Sequence, residues 1–277
     1  MPRDTAQDVP AYRRFMPALM PTRSESAVYF DQQVRTQQAE GFLTTTREAH
    51  PELHPTFFHL VLWVMAQMFD RHPKLNRFVA GGRLYQRDGI WISFTAKTAL
   101  TEEGTLVEVK HRFDPRQPFA DLVGELQEET SRARLGAHGP ADRELELFLH
   151  LPPTARRGVV RLASLANAWR LLPRAFVEGD PFFASAFVTN LGSVGLDSAY
   201  HHLYEYGTIP IFCALGAIHD AVVVDDGQPK VARVASLKFT YDERVEDGLY
   251  AAHALADFCR ILERPWDSAG ASITDAS

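Results

Sequence analysis

The amino-acid sequence predicts an α/β domain in which helices pack against a β-sheet. Residues 55–72 are a strong helix candidate, because apolar side chains recur along one helical face, namely Phe58, Leu62, Met65 and Phe69. Residues 90–94 are a strand candidate, since Ile, Trp and Phe dominate a run that follows a hairpin turn. Residues 239–248 combine an apolar strand with a turn containing Asp and Gly, and residues 249–262 continue as an amphipathic helix. Side chains at such a strand-to-helix junction are held at both ends, so the junction is a candidate position for chemistry.

The composition excludes several classes of protein. The net charge of −6 and the pI near 6.0 provide no general attraction to nucleic acid. The two cysteines, Cys213 and Cys259, lie in apolar runs without metal-ligand spacing, so we expect buried, reduced thiols and no metal. No apolar run approaches the roughly 18 residues of a transmembrane helix, and the first residues lack the apolar core of a secretory signal. We therefore expect a cytoplasmic protein with no transmembrane segment and no nucleic-acid partner.

Local composition suggests where the domain begins and ends. Residues 1–24 are rich in Pro and Arg and predict an extended arm that packs on the domain or on a neighbouring subunit. Residues 25–265 contain the strand and helix patterns and predict the folded domain. Residues 266–277 are small and polar, which predicts a disordered tail.

Residues 141–178 form an arginine-rich helical segment within that domain. Pro152-Pro153 divides it into two predicted helices, the second running from residue 154 to about residue 176. No acidic side chain occurs between residues 147 and 177, whereas five arginines do: Arg156, Arg157, Arg161, Arg170 and Arg174. One interpretation is an interaction surface for a membrane or an acidic partner. The favoured interpretation is a helical pair folded over the core, with its arginines reaching water.

The junction at residues 239–248 carries a recognisable motif. Asp242, Arg244, Asp247 and Gly248 match a signature that reads Asp-His-Arg, two residues, Asp-Gly. This signature is typical of the catalytic domain of dihydrolipoyl acyltransferases, the core subunits of 2-oxo acid dehydrogenase complexes, and of chloramphenicol acetyltransferases. The histidine of the signature is replaced in this chain by Glu243.

A second motif resembles the same family. Residues 184–192 end in Thr189, Asn190, Leu191 and Gly192, and the family has a strand at this place whose Ser or Thr hydroxyl stabilises the oxyanion of the tetrahedral intermediate. Residues 71–76 are similar to the His-Pro segment that follows the long helix in the family, and residues 209–218 are similar to its apolar strand ending near glycine. The resemblance therefore covers about residues 20–265. It implies a chloramphenicol acetyltransferase-like two-layer sandwich, a mixed β-sheet packed by helices, that forms trimers.

The replacement by Glu243 bears directly on catalysis. In the family, the histidine is the general base that deprotonates a thiol or hydroxyl before it attacks an acyl thioester. A free carboxylate has a pKa of about 4.3 and a thiol of about 8.5, so the same proton transfer to a carboxylate is uphill by roughly 6 kcal/mol. The resemblance assigns catalytic positions to Glu243, Asp247 and Thr189, and structural positions to Arg244, Gly248 and Asn190.

The resemblance also implies an assembly and a ligand. In the family the active site lies between subunits, where one subunit provides the histidine and its neighbour the hydroxyl, so we expect Glu243 to face Thr189 of an adjacent chain. Coenzyme A or an acyl-coenzyme A is the implied ligand, and no cofactor is expected to be bound covalently. The short arm leaves no room for the lipoyl and subunit-binding domains that precede the catalytic domain in dehydrogenase complexes.

Three hypotheses follow for the function. The favoured one is a catalytically impaired homotrimer that serves as a scaffold or binding module. The alternative is an active coenzyme A-dependent acyltransferase that uses Glu243 or a nearby histidine as its base. The third is a structural protein in which residues 141–178 are the functional surface and bind a partner or build a larger assembly. His201 and His202, with Glu205 close by in sequence, are the candidate substitute histidines, although packing in a loop is their ordinary explanation.

Overall fold

The computed structural model describes residues 4–97, 106–135 and 149–274. The strands are β1 (Thr5–Ala6), β2 (Ala27–Arg35), β3 (Arg77–Ala80), β4 (Arg83–Gln86), β5 (Ile90–Lys97), β6 (Leu106–Phe113), β7 (Ala186–Asn190), β8 (Ile211–Leu215), β9 (His219–Asp225) and β10 (Gln228–Asp242). The helices are α1 (Ala11–Leu19), α2 (Gln37–Ala49), α3 (Phe57–Arg71), α4 (Phe119–Leu135), α5 (Pro153–Ala168), α6 (Arg174–Gly179), α7 (Gly248–Glu263) and α8 (Pro265–Thr274). Short 3-10 turns cover Pro73–Asn76 and Leu191–Val194.

A mixed seven-stranded sheet organises the fold. Its strands follow the order β2-β10-β8-β7-β5-β6, and β9 forms a hairpin with β10. β7 runs parallel to both β5 and β8, whereas the other pairs are antiparallel. β1, β4 and β3 form a separate small sheet. The predicted α/β class with a mixed sheet packed by helices is confirmed.

One face of the large sheet is covered by helices. α3 is the central helix, and its side chains from Leu60 to Phe69 are all buried, which explains the long apolar run that predicts it. The helix begins one residue after Thr56, whose hydroxyl accepts a hydrogen bond from the backbone N–H of His59. α7 packs against α3, and Phe258 on α7 contacts Phe239 on β10 edge to face at 5.4 Å. Cys213 is buried on β8 and Cys259 half-buried on α7, both as free thiols.

The opposite face of the sheet carries a smaller aromatic cluster. Phe187 on β7 and Phe212 on β8 stack with their ring centroids 5.3 Å apart. Leu203 and Ile209, from the long segment between β7 and β8, are buried against them. This segment therefore lies over the sheet instead of extending into solvent.

The N-terminal arm differs from the prediction. It packs on the domain, since β1 pairs with β4 and Met16 is buried, but residues 11–19 form helix α1 and are not extended. Pro17 lies inside this helix, and proline in a helix interior argues against helix from sequence. Burial of Met16 and Met20 compensates for that local cost.

The arginine-rich segment also differs from the prediction. Residues 141–148 lie outside the described residues, but α5 does begin at Pro153 as the paired prolines indicate. The predicted continuous helix ends at Ala168, because Arg170 adopts a positive φ of 57° before α6 starts at Arg174. None of the α5 side chains is buried, although the helix ends beside Gly81. Because residues 141–148 lie outside the described residues, the interpretation of a helical pair folded over the core stays a prediction.

The C-terminal end is ordered further than predicted. Residues 265–274 form helix α8, where a disordered tail was expected from residue 266. The Trp266 ring packs edge to face on Phe42 of α2, with centroids 4.9 Å apart. One aromatic anchor thus attaches a segment whose small polar residues predict disorder.

Candidate active site

Thr189 lies at the C-terminal end of β7, where the strand opens into a cavity. The cavity has a volume of about 680 Å³, which is within the range of small-molecule sites. Its lining is mainly apolar and aromatic, and Phe58, Phe94, Phe187 and Phe212 contribute to it. The polar groups that face it include Thr189, His59 and His201. The retained hydroxyl is therefore accessible to a ligand from this side of the sheet.

Backbone packing explains the residues that follow Thr189. Asn190 accepts a hydrogen bond on its side-chain oxygen from the backbone N–H of Ser193 at 3.1 Å and so stabilises the turn after β7. A Cβ at Gly192 would lie 2.7 Å from the carbonyl oxygen of Gly216, so only glycine fits. The close approach of the β7 and β8 ends thus explains the Leu-Gly pair in physical terms.

His201 shares the cavity with Thr189. Its ring stacks on Phe212 with the centroids 3.9 Å apart, and Nδ1 lies 2.7 Å from the carbonyl oxygen of His202. Burial lowers the pKa of His201 below its ordinary value, and this outweighs the opposing effect of the hydrogen bond to His202. Histidine at position 201 is therefore uncharged near neutral pH.

The signature turn between β10 and α7 is built around a buried ion pair. Arg244 donates two hydrogen bonds to the carboxylate of Asp242, at 2.8 and 2.7 Å, and both side chains are almost fully buried. The same guanidinium donates to the carbonyl oxygens of Met20 and Pro21. Arg244 therefore fixes the turn to the N-terminal arm.

Glu243 is held by its backbone. Its N–H donates to the carbonyl oxygen of Ser26 at 3.0 Å, and its own carbonyl oxygen accepts from Arg13 at 3.1 Å. The side chain is half-buried, and within the described part of the chain its carboxylate has no hydrogen bond or ion pair. Glu243 does not line the cavity that contains Thr189. A single chain thus brings Thr189 together with His201, and not with Glu243.

Asp247 and Gly248 begin helix α7. Asp247 is the N-cap, and its carboxylate accepts from the backbone N–H of Tyr250 at 2.9 Å. This hydrogen bond, together with the charge of Arg13 at 3.3 Å, lowers the pKa of Asp247. Gly248 is the first helical residue. Asp247 therefore stabilises the turn that carries Glu243.

Sequence reasoning missed the charges that surround this turn. Glu246 is buried and forms ion pairs with Arg13, Arg77 and Lys74 at 3.0 to 3.5 Å. These partners lie more than 160 residues earlier in the chain, so no local spacing reveals them. Arg13 was assigned only to an arm, yet it contacts Glu243, Glu246 and Asp247.

Neither a metal cluster nor a membrane helix occurs in the ranges that the structure describes. There, no group of three or more His, Cys, Asp and Glu side chains is arranged to hold a metal ion. Across the same residues, no helix is both long and apolar enough to span a bilayer.

Known proteins share this arrangement of strands and helices. The dihydrolipoamide acetyltransferase of Azotobacter vinelandii, studied for the roles of a serine, a histidine and an asparagine in its catalytic mechanism, is 17% identical, with 94% of this chain and 92% of that one covered at a TM-score of 0.61. The cubic core of a pyruvate dehydrogenase multienzyme complex is 15% identical, with 94% and 92% covered at a TM-score of 0.60. A chloramphenicol acetyltransferase is 12% identical, with 94% and 98% covered at a TM-score of 0.51.

A family model matches part of the chain. Residues 160–269 match the model of the 2-oxoacid dehydrogenases acyltransferase (catalytic domain). The matched range includes residues 160–178, which sequence reasoning had set apart as an arginine-rich segment. The resemblance predicted from the two motifs is thus confirmed: residues 160–269 match the acyltransferase catalytic domain of the 2-oxo acid dehydrogenase family, and the whole chain has the fold of the dihydrolipoamide and chloramphenicol acetyltransferases.

Proposed function

We propose that this chain is a 2-oxo acid dehydrogenase acyltransferase-family protein that binds an acyl thioester next to Thr189 but is impaired in acyl transfer. The observation that carries the proposal is the combination of a retained hydroxyl with a replaced base. Thr189 opens into a cavity of about 680 Å³, whereas Glu243 stands where the signature has its histidine. The protein would then act in the cytoplasm mainly as a homotrimeric scaffold or binding module.

The catalytic mechanism of the Azotobacter enzyme involves a serine, a histidine and an asparagine. Thr189, Glu243 and Asp247 are the corresponding candidates in this chain. A threonine can donate the hydrogen bond of a serine, and Asp247 already caps α7. The carboxylate of Glu243 is a much weaker base than imidazole toward a thiol, which is the physical reason for the impairment.

Coenzyme A or an acyl-coenzyme A is the proposed ligand. The apolar and aromatic lining suits an acyl group and the adjoining thioester arm, and Thr189 supplies a donor for the thioester oxygen. Arg134 on α4 also lines the cavity and provides a positive charge for the phosphates of the ligand.

Self-association completes the proposal. The pyruvate dehydrogenase relative forms a cubic core, and we propose that this chain forms trimers with Glu243 facing Thr189 of a neighbour. Residues 141–178 are proposed to bring a second trimer of the same chain into contact. Two features of the described part, residues 149–178, support this: the α5 apolar side chains are exposed, and Arg156, Arg157 and Arg161 have no carboxylate partner there. Their positive charge complements the net charge of −6 of the whole chain.

The second candidate is an active coenzyme A-dependent acyltransferase with Glu243 or a nearby histidine as base. It is favoured by the half-buried carboxylate of Glu243, which has no polar partner in the described ranges and is therefore available to accept a proton. This candidate predicts that Glu243→Ala abolishes turnover while the oligomer survives.

The experiment measures coenzyme A binding by calorimetry and coenzyme A release from acetyl-coenzyme A, with dihydrolipoamide as acceptor. Wild type is compared with Glu243→His and Glu243→Ala, each first shown to be trimeric. We expect coenzyme A to bind all three proteins, and Glu243→His to exceed the wild-type rate at least about 100-fold. A wild type as fast as Glu243→His would refute the impairment. Absence of coenzyme A binding in all three would refute the proposed ligand.

A further inference from the structure

The relation of His201 to Thr189 is fixed by two neighbouring strands. In the parallel pair of β7 and β8, Phe187 lies beside Phe212 and Thr189 beside Ala214, and all four line the cavity. Thr189 is therefore one strand across and two residues along from Phe212, which corresponds to a diagonal of about 8 Å between Cα atoms. His201 is stacked directly on Phe212. The imidazole of His201, stacked on β8, and the hydroxyl of Thr189 on β7 thus line the same cavity.

A base and an oxyanion donor that line one cavity are the groups that acyl transfer needs. The hydroxyl must lie about 2.7–3.1 Å from the oxyanion, and the base about 2.6–3.2 Å from the acceptor atom that carries the proton. The acceptor in turn lies about 3–3.5 Å from the carbonyl carbon before attack. The base and the hydroxyl therefore have to contact different sides of one substrate, within a single cavity.

The imidazole of His201 is oriented as a base. The partner of its Nδ1 is a backbone carbonyl oxygen, which can only accept, so Nδ1 carries the proton and Nε2 has the free lone pair. His202 stacks on the ring from one side at 4.5 Å and Phe212 lies at 3.9 Å. The tautomer and the plane of the ring are therefore both fixed.

The segment that carries His201 is anchored at both ends. Thr240 on β10 donates its hydroxyl hydrogen to the carbonyl oxygen of His201. The buried guanidinium of Arg23 donates to the carbonyl oxygens of Tyr204, Glu205 and Gly207. Because these hydrogen bonds already exist without a ligand, the segment needs little reorganisation when a ligand binds.

The charges around His201 keep it neutral. The titratable groups that line the cavity with it are His59 from α3, Arg134 from α4, and Tyr200 and Tyr204 from its own segment. No carboxylate lines the cavity among the residues described, so the contact that favours the imidazolium is the hydrogen bond from Nδ1 to the carbonyl oxygen of His202. Burial opposes this contact and has the larger effect, so the pKa of His201 lies below its ordinary value.

We propose that His201 is the general base for the residual acyl transfer of this chain, working with Thr189 of the same subunit. The proposal rests on the proposed binding of an acyl thioester in this cavity. Nε2 of His201 removes the proton from a thiol or hydroxyl acceptor, which attacks the thioester carbonyl carbon, and Thr189 donates a hydrogen bond to the oxyanion. Collapse of the intermediate breaks the carbon–sulfur bond, and the imidazolium returns the proton to the departing thiolate. The slow reaction thus needs no group from a neighbouring chain.

The test uses the trimeric full-length protein with acetyl-coenzyme A and dihydrolipoamide. We expect His201→Ala to lower the wild-type rate at least about 100-fold, and the matched control His253→Ala, at an exposed position of α7 that does not line the cavity, to stay within about fivefold. The wild-type rate should fall at low pH with a midpoint below about 6.5, because only the neutral imidazole accepts the proton. Imidazole added to His201→Ala should restore part of the rate, which a purely structural role would not allow.

A double variant separates this proposal from the proposed function. Glu243→His with His201→Ala should keep most of the Glu243→His rate, since its base then comes from position 243. If coenzyme A binds but the wild-type rate is zero or unchanged by His201→Ala, the role of His201 is refuted and the binding function stands. If coenzyme A does not bind any variant, the proposed function itself fails.

Discussion

At the scale of single residues, the Asp242–Arg244 pair is the feature with the clearest energetic consequence. Both side chains are at most 5% exposed, and Arg244 also satisfies two carbonyl oxygens of the arm. Arg244→Met keeps most of the volume but leaves the Asp242 carboxylate buried without its partner. We expect a loss of about 3–5 kcal/mol in the free energy of unfolding, measured by urea denaturation at pH 7.

The matched control for this prediction is Lys230→Met. Lys230 pairs with Asp225 at 2.7 Å, the same distance as the buried pair, but more than half of its side chain is exposed. Water screens such a pair, so the expected loss is below about 1 kcal/mol. Equal losses in the two variants would show that Arg244 does not owe its effect to burial.

At the same scale, part of the site was predictable and part was not. Asp242, Arg244 and Gly248 form a local signature, and the structure shows the ion pair and the helix start that this local sequence produces. The contact of Arg13 with Glu246 was not predictable, because a sequence pattern carries no signal for residues more than 200 positions apart. The stacking of His201 on Phe212, only 11 positions further along the chain, was not predictable for another reason: it depends on how the segment between β7 and β8 folds over the sheet.

At the scale of secondary-structure elements, the start of α3 contains a pH-sensitive cap. The backbone N–H of Thr56 donates to Nδ1 of His59, which can accept only while that nitrogen is unprotonated. Burial lowers the pKa of His59 to about 4. In the unfolded chain His59 has a pKa near 6.5. Between pH 6.5 and 4 it is therefore protonated in the unfolded chain and unprotonated in the folded one. The contribution of His59 to the free energy of unfolding is therefore fully present above pH 6.5. It decreases as the pH falls, by at most about 3 kcal/mol.

His59→Gln tests this cap. Glutamine at the third helical position can complete the same capping box with Thr56 and does not titrate. We expect the variant to match wild type at pH 7 within about 1 kcal/mol and to become the more stable protein by pH 4.5, in urea unfolding curves recorded at both values. If wild type and His59→Gln lose the same free energy of unfolding on acidification, His59 is not the group responsible, since the carboxylates titrate equally in both proteins.

The elements themselves were predictable where burial gives a strong pattern. α3 and α7 follow from apolar periodicity, and β8 from a continuous apolar run buried on both faces. α1 and α8 were not, because each depends on one or two tertiary anchors instead of a periodic face. Met16 fixes a helix that contains a proline, and Trp266 fixes a helix of small residues on Phe42.

At the scale of the whole molecule, α5 stands out because its apolar side chains remain exposed in the described fold. Leu162 is 67% exposed and Leu165 56%, and within the described ranges Arg157 and Arg161 on the same helix have no carboxylate partner. Exposed apolar side chains grouped in this way mark contact surfaces more often than isolated ones do. The sequence could not decide between packing and interaction here, because an amphipathic helix looks the same whichever partner its apolar face contacts.

The last prediction therefore concerns assembly. We expect the wild type to sediment as a trimer, three times the 31.1 kDa of one chain, and to form larger species as its concentration rises. Leu162→Glu should keep the trimer and abolish the larger species, because it would place a charge in the proposed apolar contact between trimers. Val222→Glu on β9 is the control, since Val222 is equally exposed but lies outside the arginine-rich segment. A monomer for Leu162→Glu would place α5 inside the trimer instead, and unchanged growth of the larger species would remove α5 from the assembly.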